Sequence, residues 1–399
     1  MYIDYNEILK FYNNKRILVT GNTGFKGAWL TTLLLNAGAS VLGYALKPST
    51  KPNLYELAEI GQNDNLQQVY GDIRDLELMK RVFKAFQPEI VFHLAAQPIV
   101  RESYRDPVNT YNINVMGTVN ICECVRLSNI YIKNQGFKTA DYAGVRSFLN
   151  VTTDKVYKNN EWEYGYRENE PLDGYDPYSN SKSCSELVTH CYKDAFLDEL
   201  KVAVSTARAG NVIGGGDFSK DRIIPDCLKT VAKAYQQKCN RTNVLVRNPY
   251  SVRPYQHVLE PLFVYLLIGA RQYEDRMWSG YYNVGPNDSD CVTTGRLVDL
   301  FCEKWNDNGK KTNEPVVAWT NKCEENAPHE ALYLRLDCSR IKSVFGWKPL
   351  WHIDKAIEET VLWTKVWLET NGDTKAVKQE MKREIDEFIL SGNLNQRCD

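Results

Sequence analysis

One short segment near the start narrows the folds open to this chain more than any other. Lys15-Arg16-Ile17-Leu18-Val19-Thr20 reads as a strand, Ala28 to Ala37 reads as an apolar helix, and Gly21-Asn22-Thr23-Gly24-Phe25-Lys26-Gly27 joins them directly. Glycine serves where a turn takes dihedrals closed to other residues and where backbone amides must come close to a ligand. At a strand-to-helix turn that ligand is a pyrophosphate, which the helix N-terminus stabilises. The spacing is Gly-x-x-Gly-x-x-Gly in place of the commoner Gly-x-Gly-x-x-Gly, and a glycine trio alone is a weak signal. Its placement between strand and helix points to a dinucleotide, with Gly21, Thr23, Gly24, Phe25, Lys26 and Gly27 as the cofactor turn.

The first half of the chain repeats this unit. Ser40 to Leu46 reads as a second strand, Leu66 to Tyr70 as a third, Leu76 to Phe86 as a helix and Ile90 to Leu94 as a fourth strand. Strands alternating with helices predict an α/β protein on a doubly wound, parallel Rossmann sheet with right-handed crossovers. Leu94, Ala95 and Ala96 end the fourth strand, where small residues admit a cofactor or equally pack under a helix. Asp72 and Ile73 are placed to meet the adenine, although a bare loop Asp looks the same. The second strand ends in Gly43-Tyr44-Ala45-Leu46-Lys47 with no acidic residue, so local chemistry leaves NAD and NADP undecided. Residues 1 to 14 read as a short amphipathic lead-in.

The stretch from Asn150 to Lys182 carries the chemistry. Asn150-Val151-Thr152-Thr153-Asp154-Lys155 closes a buried strand, and strand ends are where parallel sheets place reactive groups. Tyr178 and Lys182, four apart on a helix, share one face. An ammonium beside a phenol favours the phenolate and lowers its pKa, which makes Tyr178 a base toward an alcohol. Thr153 is placed to hold the same hydroxyl, with Asp154 and Lys155 supplying an acid and an amine. Taken alone, Tyr-x-x-x-Lys also occurs on solvated helix faces, and Thr-Thr-Asp-Lys also occurs as a plain strand end entering a turn.

A length of 399 residues predicts two lobes, 1–208 for the dinucleotide and 209–399 smaller, with the chain around 254–270 returning to the first. A helix Asn109 to Leu127 leads to a polar stretch, Ser128 to Val145, read as a surface insertion. Another helix is expected from Asp194 into a strand Val202 to Arg208, and residues 373–390 read as a charged, solvated tail helix. With 49 basic against 50 acidic residues, neither nucleic acid nor a membrane surface is expected as main partner. Eleven Cys lack paired zinc spacing, so no metal is expected, and scattered thiols without a signal-peptide pattern suggest the cytoplasm.

Read together and in order, the Gly21 turn, Gly71-Asp72-Ile73, His93 to Gln97, Thr153-Asp154-Lys155, Tyr178 with Lys182, Arg208 to Gly216, Arg253 to His257 and His329 to Asp337 resemble one family. It is the nucleotide-sugar 4,6-dehydratases, hydro-lyases of the extended short-chain dehydrogenase/reductase family, and the likeness is greatest to the branch acting on CDP-glucose. The resemblance implies NAD as cofactor, a nucleotide sugar as substrate, and an assembly expected to be a homodimer or homotetramer. It implies that Tyr178 takes the proton of the sugar 4-hydroxyl while hydride passes to NAD. Water then leaves across carbons 5 and 6, and hydride returns at carbon 6. Thr153 orients the hydroxyl, Lys182 lowers the Tyr178 pKa and holds the nicotinamide ribose, and Asp154 protonates the leaving hydroxyl. Relatives acting on dTDP-glucose carry Asp-Glu where this chain has Asp154-Lys155, so Lys155 inherits the carbon-5 proton, a task for an amine only when neutral. Gln97, Arg101, Asn211, Arg222, Arg253 and His329 match substrate-binding positions, each of which otherwise reads as an ordinary polar group. A 4-epimerase shares Thr, Tyr and Lys but has no need of the Asp154-Lys155 pair. A non-catalytic, NAD(P)-sensing binding protein on the same fold typically loses the Tyr or the Lys.

Overall fold

The computed structural model describes residues 3–135, 144–307, 314–322 and 331–395. In chain order, β1 Arg16–Thr20, β2 Ser40–Ala45, β3 Leu66–Tyr70, β4 Ile90–His93, β5 Ser147–Val151 and β6 Ala203–Ala209 belong to the main sheet. Next come β7 Val212–Ile213, β8 Arg241–Val246, β9 Val252–Pro254 and β10 Gln256–His257 outside it; β11 Tyr281–Val284 returns to it; β12 Cys291–Thr293 and β13 Val316–Asn321 lie outside again. The main sheet has seven strands in the order β11-β6-β5-β4-β1-β2-β3, every pair parallel. From β1 the chain winds one way to β2 and β3, then back past β1 to β4, β5 and β6. That reversal opens a crevice beyond the ends of β1 and β4.

Apolar runs explain why these segments are central strands. A parallel sheet is covered on both faces, so its strands need apolar side chains on both. Ile17 and Val19 enter one core with the helices Phe25–Asn36 and Leu259–Glu274, while Leu18 enters another with Leu76–Phe86 and Gly117–Gln135. A third core, including Leu228, Val244, Phe301 and Ile357, lies outside the sheet. The helix Leu259–Glu274 is buried around its whole circumference up to Ala270, as a helix enclosed by protein must be. It packs on β5 and β6, and β11 then pairs with β6. The sheet therefore borrows its edge strand from late in the chain, a four-residue strand that sequence periodicity is too short to reveal.

Four local expectations are corrected. The Asn109 to Leu127 helix is two helices, Pro107–Tyr111 and Gly117–Gln135, joined by a π-type turn over Asn112–Met116. The polar stretch from Ser128 continues that second helix to Gln135, with Asn129 turned inward and bonded to the Val145 backbone; residues 136–143 lie outside the described residues. The helix before β6 runs Pro177–Tyr192 and closes through a π-type turn at Lys193–Leu197, so Asp194 stands near its end. The tail helix, Thr374–Asn395, buries Val377, Met381, Ile385 and Phe388 in the core beside Tyr5 and Trp351. Among the described residues no helix is long and apolar enough to cross a membrane.

Candidate active site

The glycine turn lies at the crevice with the geometry that close approach demands. Gly21 has φ +73°, and a Cβ there would meet the Ala95 backbone at 2.9 Å; a Cβ on Gly27 would meet the Gly21 carbonyl oxygen at 2.1 Å. Gly24 caps the helix Phe25–Asn36 with no side-chain hydrogen bond, leaving its N-terminal amides for a ligand. Leu94 and Ala95 donate their backbone N–H to Thr20 Oγ1, both at 3.1 Å, which fixes the end of β4 against the turn. These residues fit the pyrophosphate half of a dinucleotide. Asp72, beyond β3, is held by the Arg74 guanidinium at 2.6 Å, and Ile73 is buried against Gly117.

One strand along, the end of β5 meets the helix Pro177–Tyr192. Asp176 caps that helix by accepting from Ser179 N at 3.0 Å, and Pro177 supplies its first turn. Tyr178 and Lys182 consequently face the sheet, and both are buried. A chain of polar contacts runs outward from Tyr178. The phenol shares a hydrogen bond with Thr153, Thr153 Oγ1 donates to Asp154 Oδ1 at 2.8 Å, and Lys155 Nζ donates to the same oxygen at 2.8 Å and to Asn211 Oδ1 at 3.0 Å. Asp154 is fully buried, and its Oδ2 has no hydrogen-bond partner among the described residues.

A cavity of about 450 Å³ opens onto this chain. Thr153, Lys155, Tyr178, Lys26, Arg101, Asn211 and Arg222 line it, and the buried Asp154 and Lys182 do not. Gln97 and Arg253 are not among its lining residues. The Gln97 amide donates to Thr110 Oγ1 at 2.9 Å, and the buried Arg253 donates to the carbonyls of Val252 and Ala331. His329 lies outside the described residues. Sequence reading missed Arg247 and Asn248 on the outer wall and Tyr255 bonded to Thr294 at 3.0 Å. The signal for the first two was there, since they directly follow β8 and strand ends carry chemistry.

Burial pushes the Tyr178 phenol up to about 12, against the pull of the Thr153 hydrogen bond and the Arg222 charge. The Lys182 ammonium donates to the Val151 carbonyl at 3.0 Å, and burial brings its pKa down to about 8 while Glu186 opposes the fall. Burial first, then the charge of Arg222, brings Lys26 down to about 7. Arg222 is thus the cation that matters for both. No local residue spacing connects it to Tyr178.

A doubly wound parallel sheet with a glycine turn at its switch point, and with Thr, Tyr and Lys converging beside it, defines a dinucleotide-dependent dehydrogenase/reductase scaffold. The chain belongs to the nucleotide-sugar 4,6-dehydratases of the extended short-chain dehydrogenase/reductase family: residues 18–360 match the family model described as GDP-mannose 4,6 dehydratase. It is similar to the CDP-glucose 4,6-dehydratase of Salmonella typhimurium, at 42% identity over 95% of this chain and 97% of the relative. An epimerase from Methanothermobacter thermautotrophicus superposes with a TM-score of 0.71 at 21% identity, covering 92% of this chain and 96% of that one. The dTDP-glucose 4,6-dehydratase of Bacillus anthracis, in complex with NAD, gives 0.66 at 21% identity, covering 88% and 96%. These last two likenesses bear on the fold.

Proposed function

We propose that this chain converts CDP-glucose to its 4-keto-6-deoxy sugar, with NAD bound at the Gly21 turn. The observation that carries the reading is the Asp154–Lys155 pair, in which Lys155 lines the cavity and the fully buried Asp154 is bonded to it and, through Thr153, to Tyr178. The identity of 42% to a CDP-glucose 4,6-dehydratase supports it. NAD, when bound, accepts a hydride from carbon 4 and returns one at carbon 6. Tyr178 takes the proton of the 4-hydroxyl, and Thr153 holds that hydroxyl in line. Elimination then needs a neutral amine to take the carbon-5 proton and an acid to protonate the departing hydroxyl. Moving one proton across the 2.8 Å bond from Lys155 to Asp154 produces both. When the amine has gained a proton and the acid has lost one, the pair stands again as an ion pair. The Lys155 ammonium then gives carbon 5 its proton as hydride arrives at carbon 6, and the proton that Tyr178 took from the 4-hydroxyl replaces it along Thr153 and Asp154. Arg101, Arg222 and Arg247 on the cavity wall suit a diphosphate, which guanidinium groups bind in bidentate fashion.

A 4-epimerase has no use for the acid and amine, so the pair favours dehydration. The assembly we take to be a homo-oligomer, a point light scattering decides. The test of function is incubation with CDP-, dTDP-, GDP- and UDP-glucose and assay for a 4-keto-6-deoxy product. We expect turnover with CDP-glucose and no net NADH. NADH accumulating in step with product would identify a simple dehydrogenase.

A further inference from the structure

The helix that carries Tyr178 and Lys182 continues the same row at Glu186 and His190, four residues apart each time. Glu186 is fully buried, and so is its partner Arg208 on β6, whose guanidinium donates to Glu186 Oε2 at 2.9 Å. Thr206 on β6 donates to the same oxygen at 2.7 Å, while Thr152 at the end of β5 donates to Oε1. One carboxylate thus ties two strand ends to the helix. Its bonds lie beside the reacting groups: Thr152 precedes Thr153, and Lys182 bonds to the Val151 carbonyl one residue earlier.

We propose that Glu186 is a positioning residue of this site, setting the end of β5 against the helix so that Thr153 meets Tyr178 and orienting Lys182 through its charge. This rests on the functional reading above. Burial works against ionisation of Glu186, yet Arg208 and the hydrogen bonds from His190, Arg208 and Thr152 outweigh it and bring its pKa down to about 2. The carboxylate is therefore charged throughout the working range. The groups facing Lys182 from other elements do not share that role. His93 on β4 is held neutral, burial bringing it down to about 3, and Lys26 repels Lys182. Glu186 alone raises the Lys182 pKa against burial. Lys182 is protonated below its pKa and loses its charge as pH rises through it, so removing the Glu186 charge moves that loss to lower pH.

The test is Glu186→Gln, with Lys182 titrated by NMR of its ε-carbon and kcat and KM followed against pH. We expect kcat at neutral pH to fall on the order of ten- to a hundredfold, the scale for displaced reacting groups. KM for CDP-glucose should change little, the Lys182 titration should drop below about 8, and Glu186→Asp should recover part of both. A folded Glu186→Gln protein with wild-type kcat, or with reduced kcat but an unmoved Lys182 titration, overturns the proposal. Should that variant not fold, Thr152→Val deletes only the bond to Oε1; lowered kcat at unchanged KM supports positioning, and wild-type kcat overturns it. The NMR titration needs no substrate, so a wild-type protein inactive on CDP-glucose would sink the functional reading, while an unmoved Lys182 titration in Glu186→Gln would still overturn the charge role given to Glu186.

Discussion

Tyr178 and Asp154 occupy opposite ends of one short relay, and in the proposed reaction the two ends serve separate stages. Burial pushes the Tyr178 phenol up to about 12, and the Thr153 hydrogen bond and the Arg222 charge favour the phenolate against it. Tyr178→Phe should lose activity by at least roughly a hundredfold, the scale for a removed general base, while CDP-glucose binding measured by calorimetry persists. Wild-type turnover by that variant would remove Tyr178 from the chemistry. Asp154→Asn and Lys155→Met should instead still reduce bound NAD when CDP-glucose is added and then stall. In deuterium oxide neither variant should exchange the carbon-5 hydrogen, because Lys155→Met has no amine and Asp154→Asn leaves the Lys155 ammonium without the carboxylate that takes its proton. Exchange by Lys155→Met would take Lys155 out of the base role. The residue types at this site were readable because they are local: Thr153, Asp154 and Lys155 are contiguous, and Tyr178 and Lys182 share a helix face. What acts on them was not. Arg222 and Glu186 exert their charge through contacts that only the fold creates.

The helix Thr374–Asn395 shows how a charged pattern hides a buried element. Its surface pairs, such as Lys382–Asp386 at 2.8 Å, are worth about 0.2 to 1 kcal/mol each. Burying Val377, Met381, Ile385 and Phe388 contributes roughly 1.5 to 3 kcal/mol for each side chain, so apolar contact decides where the helix sits. The charged stripe was legible and the helix's docked placement was not, because the apolar stripe is narrow and its partners include Tyr5 and Trp351, both far from it in sequence. Docking carries Glu384 inside, 3.5 Å from His257 Nε2, with Glu359 and Glu380 nearby. Burial first, then Glu359 and Glu380, raises the Glu384 carboxyl well above its ordinary value. The folded protein therefore keeps a proton on Glu384 after the unfolded chain has lost it. The Glu384 contribution to stability falls as pH rises above the unfolded value of about 4.3, by up to about 1.4 kcal/mol per unit, until Glu384 ionises in the folded state. His257, brought down to about 3 by burial, contributes in the opposite sense below its unfolded value of about 6.5, equally in the wild type and the Gln variant. Glu384→Gln has nothing to titrate, so its urea midpoint between pH 5 and 8 should decline less steeply than that of the wild type. Parallel declines would show that Glu384 does not hold the proton.

Across the whole molecule the chain passes repeatedly between the sheet and the structure that closes the cavity. Alternation made the parallel sheet legible through β5, because each unit is a strand and helix adjacent in sequence. Beyond β6 the periodicity fails, since short strands leave and rejoin: β7 pairs with β10, β9 with β12, and β11 returns to β6. The cavity takes Lys26, Arg101 and Thr153 from one side of these crossings and Asn211, Arg222 and Arg247 from the other. Neither side can unfold without stripping the other of partners: Trp29 donates to the Gly215 carbonyl at 3.0 Å, and Leu259–Glu274 is enclosed by the sheet's own core. Thermal unfolding should accordingly show one cooperative transition. Free CDP offers the nucleotide half of the proposed substrate and should bind only the assembled cavity. At a hundred times its Kd it should stabilise the fold by about 2.7 kcal/mol and move that single midpoint upward by a few degrees. Calorimetry at rising CDP concentrations reads both outcomes. Two transitions, with CDP shifting just one, would mean that the part beyond β6 folds on its own and that the cavity walls meet without depending on each other.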